Sequence, residues 1–517
     1  MVRDVRGGGE RPSGTVKRAV LAWQDYRYEE AIALFRRALQ QNPNNVQLLL
    51  DLGRAYGLRY DYEQADEYLT RALKIGTKSA RASFAVGETY RKIAQFDRAA
   101  EHFRHATKLA SDQADAFVQL GEIHERLHAL EDAECAVGEA LRIDPRHPMA
   151  LYLQAKVVRR QGDGVKAGAM LEAFLARPPE RLLEPRWRAW YELGAIRKVD
   201  GDYDGAMRCS LKAKQVLRKQ GRAVQSSTSF TLRKNEELVS TITWEHFKRW
   251  HGDRFEPKQN LALLCGHPRS GTTLIEQVLD AHPGLVSADE TNVMSEEVYI
   301  PLGNHFPVTV TPTEMLEQSD PTHLQEARET YRQLTEAFLR EPIGDRVLLD
   351  KNPELTMILP AIVRIFPEIK VLFALRDPRD VCVSCFMQPL PMNSVSASYL
   401  TIDGTFKKYA AVMKTWLHIR SMLQNTWLET RYEDNVADLE KGAGKVLEFL
   451  GLSWDPQVLK FYERVRQKHV RSPSYEAVSQ PVHNRAVGRW RNYAKFLEPH
   501  LETLQPFVET FAYEGTN

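Results

Sequence analysis

Apolar and polar positions along this chain follow two rhythms, and the change comes near residue 218. Before it, small and large apolar residues return with a period of 34. Ala31, Ala65, Ala99, Ala133 and Ala167 hold that spacing, and Phe35, Leu69, Phe103, Val137 and Leu171 follow four residues later in each copy. Ala38, Ala72, Ala106 and Ala140 come three later again. Gly53, Gly87 and Gly121, with Tyr56 and Tyr90, mark an earlier helix in each of three copies, and Pro43, Pro145 and Pro179 close their copies. After an insertion around 177–186, Gly194, Ala206 and Ala213 begin a sixth copy. Alanine lets two helices approach closely and proline stops the second. The pattern predicts stacked helix pairs sharing one continuous core.

The second rhythm alternates short apolar runs with amphipathic segments. Leu261–Leu264 predicts a buried strand, Gly266 to Gly271 a turn, and Leu274, Ile275, Val278 and Leu279 a helix starting at Thr272. Further strands are predicted over 285–287, 345–349 and 369–375, with another from Trp427. Helices are predicted over 323–339, 416–427 and 445–452. Strands alternating with helices predict a parallel sheet whose ligands sit at the strand C-terminal ends. The expected domains are a disordered N-terminus over 1–13, an all-α repeat domain over 14–217, a helical linker over 218–258 ending its helix at Pro257, and an α/β domain over 259–517.

The strand–turn–helix at Leu261–Leu279 is an anion cradle in prospect. The first N–H groups of a helix lack intrahelical partners and carry partial positive charge. Arg269 adds a forked cation, and Ser270, Thr272 and Thr273 add hydroxyls beside Gly271. The ATPase pattern needs a lysine after the last glycine, whereas here Thr272 follows Gly271. A second candidate follows the 369–375 strand, where Arg376-Asp377-Pro378-Arg379-Asp380 leads into a helix carrying Ser384. A strand-end guanidinium and a hydroxyl two turns on can both reach one phosphate. Two anion sites about 100 residues apart imply a nucleotide with two separated phosphates. Asp289 and Glu290 fall at the end of the 285–287 strand, and Lys351 is a cation at the end of the strand predicted over 345–349.

The string Pro268-Arg269-Ser270-Gly271-Thr272-Thr273-Leu274 resembles the 5′-phosphosulfate loop of protein-tyrosine sulfotransferases and their bacterial relatives. Arg376 to Ser384 resembles the 3′-phosphate segment of the same enzymes. Together with the 34-residue array, which matches the tetratricopeptide repeat, the chain resembles bacterial repeat-containing sulfotransferases. That resemblance implies a P-loop-kinase-like fold and 3′-phosphoadenosine 5′-phosphosulfate (PAPS) as sulfuryl donor, with 3′,5′-adenosine bisphosphate as product and no metal. It implies Glu290 as general base and Lys351 as the cation for the leaving oxygen. Tyr432 falls on a Tyr-Glu step near the nucleotide, though Asn435 replaces the usual leucine. In the basic stretch 464–495, Ser474 and Arg489 fall on the C-terminal nucleotide loop, Arg489 replacing the lysine of the animal enzymes. That basic run is accordingly assigned to the nucleotide and not to nucleic acid.

Charge narrows the picture little, with 70 Lys plus Arg against 68 Asp plus Glu. Five scattered cysteines form no disulfide framework, and Cys382-Val-Ser-Cys385 lacks the second pair a zinc site needs. No apolar run approaches the ~18 residues of a membrane span, so a soluble, cytoplasmic protein is expected, unlike the membrane-anchored eukaryotic enzymes. The expected function is sulfuryl transfer to a hydroxyl, tyrosine among the acceptors, with a peptide or protein on the concave repeat face. Homodimerisation is another use for the repeats. Two alternatives are a kinase-like phosphotransferase and a nucleotide-binding repeat scaffold without catalysis.

Overall fold

The computed structural model describes residues 14–513 apart from 77–78, 178–181, 222–223, 251, 253–254, 308, 391, 394, 425 and 466–481. Two compact units divide between Ala213 and Lys214.

In the first unit the described helices alternate along the chain: α1 Gly14–Gln24, α2 Tyr28–Gln41, α3 Val46–Leu58, α4 Tyr62–Ile75, α5 Ala80–Lys92, α6 Phe96–Leu109, α7 Ala114–Arg126, α8 Leu130–Ile143, α9 Pro148–Arg160, α10 Gly164–Ala176, α11 Leu183–Val199 and α12 Tyr203–Gly221, which runs past the division. Polar side chains start several of them: Asn45 accepts from Leu48 N at 3.1 Å, Asp61 from Gln64 N at 3.0 Å and Asp163 from Lys166 N at 2.9 Å. The repeated glycines mark close helix contacts. A Cβ on Gly87 would lie 2.9 Å from Phe103, and one on Gly53 2.7 Å from Leu69. Phe35, Leu69 and Phe103 are fully buried, so truncating Phe103 to alanine should cost about 3–5 kcal/mol. Charges on the first helices pair with one another. Glu125 holds Lys156 at 2.7 Å and Arg160 at 2.5 Å, while Arg188 bridges Glu122 and Glu184, each at 2.6 Å.

The second unit is built on five parallel strands in the order β2-β3-β1-β4-β5. They are β1 Leu261–Gly266, β2 Leu285–Asp289, β3 Val347–Lys351, β4 Lys370–Leu375 and β5 Trp427–Arg431. α13 Gln225–Thr241 and α14 Trp244–Trp250 precede the sheet, α15 Thr272–Asp280 follows β1, α16 Pro321–Leu339 precedes β3, α17 Pro378–Met387 follows β4 and α18 Ile402–Arg420 leads towards β5. Apolar residues bury both faces of the central strands, as a parallel sheet requires. On one face Ala262, Leu264, Leu349 and Leu372 pack with Ile275, Val278 and Leu279 of α15. The chain leaves β1 towards β2 on one side and later returns to β4 on the other. The crevice beside the end of β1 is therefore the switch point where such sheets bind ligands.

Residues 218–258, expected as a helical linker, carry α13 and α14 and fall within the second unit: Trp250 Nε1 donates to Glu317 at 2.8 Å, and His418 Nε2 bonds Ile242 O at 3.2 Å. The helix expected over 416–427 is instead α18, Ile402–Arg420, and Trp427 already belongs to β5. Its buried positions, Thr405, Phe406, Lys408, Tyr409, Ala410, Val412 and Met413 among them, cover well over one face, which hides a one-faced pattern. Lys351, expected at a strand end, is the last residue of β3. The expected disordered residues 1–13 lie outside the described residues.

Candidate active site

The turn after β1 is forced into shape by its own residues. Gly266 has φ +144, and a Cβ there would stand 2.7 Å from Ala374 O of β4. Arg269 adopts φ +73, a left-handed conformation costly for a residue with a Cβ. Gly271, at φ +91, is the N-cap of α15 and has no side chain to cap it. The first turn of α15 therefore faces the crevice with Thr272 and Thr273 and without a side-chain cap. Ser270 Oγ is buried and has no hydrogen-bond partner among the described residues. An uncompensated buried hydroxyl is costly and calls for a missing partner.

Three arginines converge beside this turn. Arg269 Nε donates to Ser384 Oγ of α17 at 3.0 Å. Arg376, just past β4, donates from Nη1 to Arg269 O at 3.1 Å and from Nη2 to Ala486 O at 2.5 Å. Its Nε is buried without a partner among the described residues, and its guanidinium lies 4.6 Å from the centre of the Tyr432 ring. Burial lowers the pKa of Arg269, and the neighbouring Arg376 and Arg489 lower it further, outlasting help from Cys385 and Glu290. Burial and then Arg376 likewise lower the pKa of Arg489. Like charges held together at a loss fit a site built for an anion.

Lys351 lies on the β1–β3 side of the same strand ends. It is fully buried, and its Nζ is 2.6 Å from Asp289 Oδ1 and 2.7 Å from Glu290 Oε1. Burial alone would lower its pKa, but Asp289, Glu290 and Glu276 together raise it, so the ammonium stays charged. Glu290 is one-third exposed, adopts φ +49, and is fastened by its N–H to Lys351 O at 2.8 Å. After Thr291 and Asn292, Val293–Tyr299 forms a π-helix, a distortion common at functional sites.

Of the residues singled out from sequence, the structure gathers Arg269, Ser270, Gly271, Thr272, Thr273, Glu290, Lys351, Arg376, Ser384, Tyr432 and Arg489 at one end of the sheet. Ser474 lies outside the described residues. Ser384 bonds Arg269, so the two anion segments touch each other. Sequence reasoning missed Asp380, whose carboxylate accepts from Gly488 N and Trp490 N, each at 2.7 Å, and so clamps the backbone on both sides of Arg489. It also missed Arg379, which pairs with Asp377 at 2.7 Å and lies 4.1 Å from the Trp490 ring centre. Both stand inside Arg-Asp-Pro-Arg-Asp, but the Gly488–Trp490 segment that they hold lies more than 100 residues away.

Residues 262–456 match the Sulfotransferase family model, and residues 22–86 and 84–148 match tetratricopeptide-repeat models. The chain is 26% identical over 330 residues to an uncharacterized protein of Aquifex aeolicus, covering 62% of this chain and 42% of that one. It is 24% identical over 270 residues to a putative protein-tyrosine sulfotransferase of Caenorhabditis briggsae, covering 50% of this chain and 91% of that one. It is 26% identical over 252 residues to the protein-tyrosine sulfotransferase of Drosophila melanogaster, covering 44% of this chain and 46% of that one. The chain thus spans less than half the length of the first and third of these relatives. Among solved structures, the sulfotransferase domain of the Synechococcus PCC 7002 olefin synthase aligns at 22% identity and a TM-score of 0.37, covering 51% of this chain and 98% of that one. Among the described residues no helix is long and apolar enough to cross a membrane.

Proposed function

We propose, for a chain that joins tetratricopeptide repeats to a sulfotransferase-family domain, that it transfers a sulfuryl group from PAPS to a hydroxyl, with protein tyrosine as the acceptor class. The single observation that carries this reading is the convergence of Arg269, Arg376 and Arg489 beside the Lys351–Glu290 pair. Mutually repelling cations and the orphaned Ser270 Oγ and Arg376 Nε fit a ligand rich in anionic oxygen.

In this reading Arg269, Ser270, Thr272, Thr273 and the first turn of α15 hold the 5′-phosphosulfate. Arg376, Ser384 and Arg489 hold the 3′-phosphate, with Tyr432 packed against Arg376. The donor supplies the activated sulfuryl group. Glu290 takes the proton of the acceptor hydroxyl. Lys351 neutralises the charge arriving on the bridging oxygen, and Ser474 assists there. Catalysis then rests on positioning and fixed cations, as in phosphoryl transfer through a loose transition state. Lysine is missing after Gly271, which disfavours an ATP-dependent phosphotransferase. The repeat array would bind a peptide or protein on its concave face. Five free cysteines fit work in the reducing cytoplasm.

The test is transfer of labelled sulfuryl from PAPS to a library of tyrosine peptides and other hydroxyl acceptors. Label should appear with the intact chain and disappear in Glu290→Ala. Nucleotide binding without any transfer would favour a repeat scaffold that does no chemistry.

A further inference from the structure

Lys351 has two carboxylate partners, and they are unlike. Asp289 is the last residue of β2 and sits directly across the parallel ladder from Lys351. It is buried, so the sheet fixes its position. Glu290, one residue on, has left the strand in a left-handed conformation and is one-third exposed. Both hold the same Nζ, at 2.6 and 2.7 Å. An ammonium has three donors, so Lys351 can take one more acceptor while keeping one of these two. Glu276, the third acid near Lys351, is already engaged. Its oxygens accept from Ser287 Oγ at 2.7 Å and Gln277 Nε2 at 2.9 Å.

We propose that Asp289 is a positioning residue for the transfer: it anchors Lys351 while the ammonium exchanges Glu290 for the bridging oxygen of the leaving phosphate. This rests on the sulfuryl-transfer reading above. In the step, the acceptor oxygen bonds to sulfur as the bond from sulfur to the bridging oxygen breaks. The electron pair of that bond goes to the bridging oxygen, and the hydroxyl proton goes to Glu290. Glu290 thereby loses its charge and its hold on Lys351 at the moment the bridging oxygen gains charge. Asp289 keeps its charge throughout. It holds a buried ammonium in place and supplies the counter-charge that Glu290 gives up. Without it, Lys351 would be drawn to Glu290 in the ground state, which opposes both proton uptake and stabilisation of the leaving group.

The experiment uses the full chain with Asp289→Asn and Asp289→Glu, followed by kcat and by KM for PAPS. Asp289→Asn should lower kcat by about 30-fold or more while KM stays within about 3-fold, the split expected when only the transition state is affected. Asp289→Glu, which restores the charge, should recover most of the loss. Should Asp289→Asn fail to fold, a crystal structure of the unaltered chain with 3′,5′-adenosine bisphosphate takes its place. Lys351 Nζ should then contact Asp289 and the 5′-phosphate and have moved away from Glu290. An unchanged kcat in Asp289→Asn, or a Lys351 that leaves Asp289 and stays on Glu290, overturns the proposal while the sulfuryl-transfer reading stands. Absence of both bisphosphate binding and sulfuryl transfer in the unaltered chain overturns both.

Discussion

Arg269 Nε donates to Ser384 Oγ at 3.0 Å, across 115 positions of sequence. The turn after β1 and the helix after β4 are thereby one contiguous surface. Arg376 completes the join by donating to the carbonyl of Arg269 itself. Any ligand held by one segment is within reach of the other.

Removing a member of this surface should weaken nucleotide binding in proportion to its charge. A hydrogen bond to a charged group contributes about 1.5–3 kcal/mol, so Arg376→Ala should weaken bisphosphate binding by about 10- to 100-fold by calorimetry. Ser384→Ala loses a neutral hydroxyl and should cost less. Because Arg269 and Arg489 are strained by their neighbours, bound anion should also stabilise the fold. Bisphosphate at about 100 times its Kd should add about 2.7 kcal/mol to the unfolding free energy.

Glu290→Gln keeps the shape of the side chain and removes its basicity. Loss of a general base should lower kcat by about 10²- to 10⁴-fold. Bisphosphate should still bind, at equal or higher affinity, since Glu290 pairs with Lys351 and the substitution frees that ammonium for the 5′-phosphate.

Gly271→Ala tests the turn. The residue stands at φ +91, and a Cβ would meet Tyr432 Cδ2 at 2.6 Å. Backbone strain of about 1–3 kcal/mol and displacement of Tyr432 from Arg376 should lower both Tm and bisphosphate affinity. Gly444→Ala is the control: it lies inside the Leu439–Leu450 helix with nothing within 4 Å of a new Cβ, and should be neutral or stabilising by up to about 1 kcal/mol.

His267, at the base of the turn, is fully buried and donates from Nδ1 to Pro268 O at 2.9 Å. Burial pushes its pKa down to about 3, against a smaller upward pull from Pro268 O and a further push from Lys408. The folded state thus binds fewer protons than the unfolded state between about pH 3 and about 6.5. This contribution to stability is complete above the unfolded value and is lost as pH falls towards the folded one. Urea unfolding across that window should show His267→Gln losing less stability on acidification than the unaltered chain does.

Much of this was legible in the sequence, for identifiable reasons. A period of 34 is carried by local helix contacts such as Gly87 against Phe103, so the array could be read directly. Arg269, Arg376, Glu290 and Lys351 sit at strand ends, where chain direction alone exposes a side chain to the crevice. What escaped depends on distant partners. Asp380 matters because Gly488 and Trp490 fold back onto it, and the pairing of Asp289 with Lys351 forms because β2 lies beside β3 and not beside β1. The span of α18 was obscured because burial on several sides erases helical periodicity.

The most direct test of the account is calorimetric titration of the full chain with 3′,5′-adenosine bisphosphate in metal-free buffer, beside ATP with magnesium. The account predicts that the bisphosphate binds without metal, that ATP with magnesium binds far more weakly, and that Arg376→Ala abolishes the difference. Equal or tighter binding of ATP with magnesium, or no binding of the bisphosphate, would contradict it.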